Sequence, residues 1–135
     1  MDAQATKLDD EDRSAGLIAW QWTGYPNYHA ARRTLLIHLF TNPIFLLGNL
    51  LILAAPLLHW PLAPVGLLLS AAAFAAQGYA HRKLEARASA PFRSRGEMLQ
   101  RVFAEQWINW PRYVLGGGFA KAWRAASWHR AVTPP

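Results

Sequence analysis

From Thr34 to Ala80 the chain carries no Asp, Glu, Lys or Arg. Arg32–Arg33 border this run on one side and His81–Arg82–Lys83 on the other. Crossing the hydrocarbon core of a bilayer takes about 20 apolar residues per helix, so the run is long enough for two such helices joined by a tight turn. It divides into roughly Leu35–Leu58 and Leu62–Ala80, with Trp60–Pro61 at the turn. Pro43 and Pro56 interrupt the first segment, and Pro61 and Pro64 precede the core of the second. Proline is tolerated inside a membrane helix where neighbours re-satisfy the freed carbonyl. The soluble alternative is a buried helical hairpin in a small globular protein. The expected fold class is all-α: an integral membrane helical hairpin with additional amphipathic or interfacial helices.

Charge is distributed unevenly around this run. Asp2, Asp9, Asp10, Glu11 and Asp12 crowd the start, and beyond them only Glu85, Glu97 and Glu105 are acidic. The remaining length is rich in arginine, and the chain as a whole carries a net charge of +6. Such an excess suits nucleic-acid phosphates as well as anionic lipid headgroups or a fatty carboxylate. Because the bases flank apolar spans, a bilayer is the expected partner and nucleic acid is not. The positive-inside rule then places both ends of the hairpin in the cytosol; a bacterial inner membrane suits the Ala- and Arg-rich, lysine-poor composition. The absence of cysteine excludes a disulfide framework, a thiolate zinc site and a thiol nucleophile.

The pattern predicts a disordered acidic tail over 1–13, a single membrane-embedded helical domain over 14–128 and a short tail over 129–135. Within the domain, Leu17–Tyr28 is an aromatic segment broken at Gly24 and Pro26. The apolar hairpin occupies about 30–84, a basic linker 86–96, and an amphipathic region 97–128. In that last region Met98, Val102 and Ile108 recur at helical spacing, with Arg101 and Glu105 on another face. Pro111 is expected to break or kink it, and Gly116–Gly118 to stop it. All seven tryptophans but Trp60 lie outside the apolar spans, which fits either a belt at headgroup level or a small core over the hairpin's ends. No internal repeat is present, and nothing fixes the number of copies.

Candidate chemistry gathers at one rim of the hairpin. His81 and Glu85 are spaced i, i+4, which on a helix puts them on one face, and Gln77 extends the stripe. Polar groups at a membrane helix terminus are costly and tend to be functional; the plainer reading is an interfacial cap. His29 and His38 are nine apart and face opposite ways on one unbroken helix. They converge only if the helix bends, or begins near Ala30, or leaves His29 on a preceding loop. Three imidazoles with a carboxylate nearby suit a first-row divalent metal, although no H-E-x-x-H motif is present and residue types do not choose the metal. His59, in the turn, and His129, near the end, read as surface residues. No G-x-S-x-G, phosphate loop or dinucleotide fingerprint occurs.

Tyr28-His29-Ala30-Ala31-Arg32-Arg33-Thr34-Leu35-Leu36-Ile37-His38, followed by Pro43, resembles the first signature of the fungal 2-hydroxy fatty acid dioxygenase family, which has many bacterial members. Gln77, His81, Glu85 and Pro91 are similar to its second signature. The resemblance covers about Tyr28 to Phe92, and more loosely Phe103–Phe119. Ala80 stands where the family usually has Gly, Thr34 replaces a common Asn, and the proline after Glu85 comes later. The resemblance implies an integral membrane, Fe(II)-dependent enzyme. It would use molecular oxygen to cleave a 2-hydroxy fatty acid by α-oxidation to an acid one carbon shorter. It also implies His29, His38 and His81 as iron ligands, and Glu85 as a fourth ligand or a base orienting His81. Arg32, Arg33 or Arg82 is the expected partner of the substrate carboxylate. The competing expectations are a non-enzymatic membrane scaffold or assembly protein, binding anionic lipid or a partner through its basic end, and a zinc-dependent lipid hydrolase.

Overall fold

The structure, a computed structural model, describes residues 16–87 and 89–126. The tails at 1–13 and 129–135, with His129, lie outside the described residues. Those described form helices α1 (Leu17–Tyr28), α2 (Arg32–Ala54), α3 (Leu62–Lys83), α4 (Arg95–Ala104), α5 (Trp110–Leu115) and α6 (Gly118–Ala125), with a π turn at Glu105–Asn109 between α4 and α5. They include no strand.

Helices α2 and α3 form the expected hairpin, and both are long and apolar enough to cross a membrane. Helix α2 ends at Ala54, four residues before the expected boundary, because Pro56 cannot continue it. The helices meet along small residues: Gly66, Ser70, Ala73 and Ala80 on α3 are buried, as is Gly48 on α2. A Cβ on Gly48 would lie 2.6 Å from the Gly66 carbonyl oxygen, so the two backbones are in direct contact there. Asn49 Nδ2 donates across the seam to Ser70 Oγ at 3.2 Å. The outer faces are bare: Leu50, Leu53, Leu57, Leu67 and Leu68 are 52–86% exposed.

Of two breaks expected in the sequence, one is not realised and the other takes the form of a π turn. Helix α1 runs through Gly24 and Pro26 to Tyr28. Pro26 has no N–H to give the Trp22 carbonyl, and the helix ends two residues later. The rod that starts at α4 stays helical past Pro111 but carries the π turn just before it. Its start is fixed by a capping box, in which the Glu97 N–H donates to Ser94 Oγ at 3.0 Å and Glu97 Oε2 accepts from the Arg93 N–H. It continues through the π turn into α5 with helical dihedrals at Glu105 and Trp110. The stop at Gly116–Gly117 is as expected: Gly117 takes the left-handed conformation, φ 82°, and α6 starts at Gly118.

Above the hairpin, Tyr25, Leu35, Trp110 and Tyr113 form an aromatic core, flanked by Trp22, Leu39, Phe119 and Trp123. Trp20 and Trp110 are buried, so part of the tryptophan set is core rather than belt. Arg32 ties α6 down: its Nε donates to the Trp123 carbonyl at 3.1 Å, and its guanidinium lies over the Trp123 ring.

Candidate metal centre

His29 caps the C-terminus of α1 and lies just before α2. That placement lets it face the same point as His38, one and a half turns into α2. His81 reaches the point from the last turn of α3. The ring centroids of the three imidazoles are 4.7–4.9 Å apart. A carboxylate completes the group, and it is Glu105 of the π turn. Glu105 Oε1 lies 3.5 Å from His29 Nε2, 3.3 Å from His38 Nε2 and 3.9 Å from His81 Nε2. The four ligand atoms lie within 4.8 Å of one another, so this His3Glu group could hold a metal ion.

The chemistry of the donors fits a cation. His29 Nδ1 is 3.0 Å from the Tyr25 carbonyl oxygen, and His38 Nδ1 is 3.0 Å from that of Thr34. A carbonyl only accepts, so each Nδ1 carries a proton and each ring turns its Nε2 inward. Metal-bound histidines are oriented in this way. His38 Nε2 and His81 Nε2 are 3.2 Å apart, close to the roughly 3.0–3.4 Å between two ligands each about 2.1 Å from one ion. His29 Nε2 and Glu105 Oε1 are buried without a hydrogen-bond partner. Burial pushes the His29 imidazole down to about 4, with Glu105 opposing, so it stays neutral near pH 7. Lone pairs and a carboxylate aimed at one another repel unless positive charge sits between them.

Glu85 stands outside this group. Its two carboxylate oxygens accept the N–H groups of Ala30, at 3.1 Å, and Ala31, at 3.0 Å, satisfying backbone donors at the start of α2. The i, i+4 relation to His81 needs a helix through residue 85, whereas α3 ends at Lys83. Of the three arginines expected at the substrate, Arg32 holds Trp123, Arg33 is exposed, and only Arg82 reaches the site's cavity. His59 is exposed in the turn, away from the group.

Sequence reasoning did not single out Glu105 as a member of this group. A signal existed: it is one of three carboxylates after the acidic start, and Glu105-Gln106 with Asn109 makes a polar run among apolar residues. Gln106 and Asn109 are buried. Asn42 Nδ2 donates to the Gln106 carbonyl at 2.8 Å and to its Oε1 at 2.9 Å. The Gln106 and Gln77 side-chain amides bond each other, and Gln77 Nε2 donates to Thr41 Oγ1 at 2.8 Å. Tyr25 stacks on His29 with centroids 4.1 Å apart, and Trp110 lies 5.2 Å from His38.

A cavity of about 420 Å³ opens on the group, lined by His29, His81 and Glu105 at one end and by residues of α1, α3, α4 and the 87–92 loop elsewhere. Arg82, Arg87 and Arg101 line it, and Glu105 is its one lining carboxylate. The fold and site thus define an all-helical chain with two potential membrane-crossing helices and a buried His3Glu group at their rim. No family model matches the chain, and no curated protein or solved structure shows significant similarity to it.

Proposed function

We propose that this chain is a membrane-embedded, Fe(II)-dependent dioxygenase that shortens 2-hydroxy fatty acids by one carbon. The observation that carries this reading is the meeting of three imidazoles, two of them oriented by backbone carbonyls, with the Glu105 carboxylate beside an arginine-lined cavity, where two long apolar helices end. The resemblance of the two histidine signatures supplies the substrate class. On this reading the hairpin lies in a bacterial inner membrane with both ends cytoplasmic.

His29, His38, His81 and Glu105 would hold the metal. Bound there, iron would supply a Lewis acid and a redox partner for oxygen. The rest follows from the chain's own residues. Tyr25 and Trp110 wall the imidazoles off from water. The carbonyls of Tyr25 and Thr34 hold the Nδ1 protons. Arg82 offers the substrate carboxylate a positive partner at the cavity wall. The reaction balances without a co-reductant: one 2-hydroxy acid and one O2 give the shortened acid, CO2 and water, the substrate giving up the four electrons that O2 accepts.

The test is metal analysis and oxygen uptake on the full chain in mild detergent. About one iron per chain is expected, together with oxygen consumption on adding 2-hydroxypalmitate and release of a 15-carbon acid. Metal-free protein with no uptake would favour a lipid-binding scaffold; zinc with oxygen-independent turnover would favour a hydrolase.

A further inference from the structure

Five cavity-lining residues of α3 form one stripe: Phe74, Gln77, Gly78, His81 and Arg82. Their i, i+3, i+4, i+7, i+8 spacing is one helix face. The stripe links two environments. At one end His81 meets the metal ligands. At the other, Phe74 is exposed on the outer face of an apolar helix, about 10 Å along the axis from His81 at 1.5 Å per residue. Helix α3 packs closely on α2, and α1 packs on α4 and the π turn; the cavity occupies the seam left between α1 and α3.

Arg82 is turned along this seam. A Cβ built on Gly78 would lie 3.2 Å from Arg82 Nη1, so the guanidinium lies back over Gly78, one turn toward the apolar end of α3. Side chains lean toward the N-terminus of their helix, and glycine at residue 78 leaves room for this one to lie down. An arginine near a membrane surface ordinarily extends to the water. Here it lies back along α3 toward Phe74 while remaining exposed.

We infer that the seam between α1 and α3 is a lateral binding groove for a single-chain carboxylate. The head group lies between Arg82 and the His3Glu group, and the chain leaves sideways over Gly78 and Phe74 into the bilayer. This rests on the proposed enzyme for its substrate, yet the groove is testable without turnover. Gly78 is its specificity-determining residue: any side chain there narrows the passage and displaces Arg82.

The experiment uses the full-length protein in detergent and palmitic acid carrying a mid-chain diazirine. After irradiation, labelled peptides are mapped and quantified in the parent chain and in Gly78→Ala, Gly78→Leu and Arg82→Gln. Labelling concentrated on Phe74–Gly78 is expected, competed away by unlabelled 2-hydroxypalmitate. It should fall at least tenfold in Gly78→Leu and Arg82→Gln and by an intermediate factor in Gly78→Ala, with metal content and thermal unfolding as in the parent. Labelling spread evenly over the outer faces of α2 and α3 and indifferent to these substitutions would overturn the groove. Focused labelling in a protein that consumes no oxygen would sink the dioxygenase and leave the groove standing.

Discussion

At the scale of single residues, two glutamates make opposite demands on substitution. Glu105 aims a buried carboxylate oxygen at three imidazoles, whereas Glu85 closes the start of α2 through the Ala30 and Ala31 N–H groups. Glu105→Gln should therefore lose most bound metal in equilibrium dialysis, as should His38→Ala. Glu85→Gln should keep metal at parent stoichiometry and instead lose about 1–2 kcal/mol of stability, the usual scale of a capping interaction, read as a lowered unfolding midpoint. Metal loss in Glu85→Gln with retention in Glu105→Gln would reverse the assignment. Acid should act on the same centre. The His29 imidazole is lowered by burial from 6.5 to about 4. Above about 6.5 neither the folded nor the unfolded chain protonates it, so it adds no pH dependence there. Below that the unfolded chain takes the proton first, and stability falls as pH drops toward 4. The unfolding midpoint should therefore be flat above pH 7 and fall between about 6.5 and 4, while the folded protein keeps its metal until the pH nears 4. A centre that tightens its hold on metal in that window would contradict the neutral-imidazole geometry.

At the scale of elements, the π turn has a local cause. The Trp110 N–H donates to the Glu105 carbonyl, five residues back. The next such bond, to the Gln106 carbonyl, would need an N–H from residue 111, which is proline. Asn42 of α2 supplies the missing donor at 2.8 Å. A proline on one helix and an asparagine on another thus maintain the wide turn that carries Glu105, in keeping with the frequent use of such bulges at functional sites. Asn42→Leu should leave the Gln106 carbonyl and side chain short of a donor, at a cost of about 1–3 kcal/mol. By loosening Glu105 it should also weaken metal binding roughly 10–100-fold, the usual scale for groups that support a ligand. Chemical unfolding in detergent and metal competition measure the two separately, and unaltered metal affinity would mean that Glu105 is placed without Asn42. This arrangement also explains what could be read from the chain itself. The hairpin was legible because an absence of charge over so many residues has few folded solutions. His29, His38 and His81 were legible because histidines at the edges of an apolar run are conspicuous. Glu105 was not, because a π turn and a contact between α2 and the α4–α5 rod have no local spacing to announce them. Glu85 misled for a related reason: its i, i+4 relation to His81 assumes that α3 outlasts residue 83.

At the scale of the whole molecule, the outer surface of the hairpin decides where the centre can work. Leu50, Leu53, Leu57, Leu67 and Leu68 remain 52–86% exposed. At roughly 1.5–3 kcal/mol per fully buried leucine, leaving five in water forgoes on the order of 10 kcal/mol, comparable to the whole stability of a small domain. On the proposed reading a bilayer would supply the missing apolar surroundings, and the Gly48–Gly66 contact suits it, since helices in lipid associate through close backbone approach. The same frame sets the depth of the site. His81, Arg82 and Lys83 close α3, and Arg32 and Arg33 open α2, so the His3Glu group lies at the charged rim, while Leu57–Trp60 at the turn carries no Asp, Glu, Lys or Arg. Loops rich in Arg and Lys remain on the cytoplasmic side, which makes orientation a testable property. Because the chain has no cysteine, single cysteines can be placed at His59, which is exposed in the turn, and at Arg33, which is exposed at the rim. In intact bacterial cells whose outer membrane is permeabilised, a maleimide that cannot cross the inner membrane should label His59→Cys and spare Arg33→Cys. Lysing the cells should make Arg33→Cys reactive. The opposite pattern would put the His3Glu rim outside the cytosol, and equal labelling of both before lysis would mean that the hairpin does not span the bilayer.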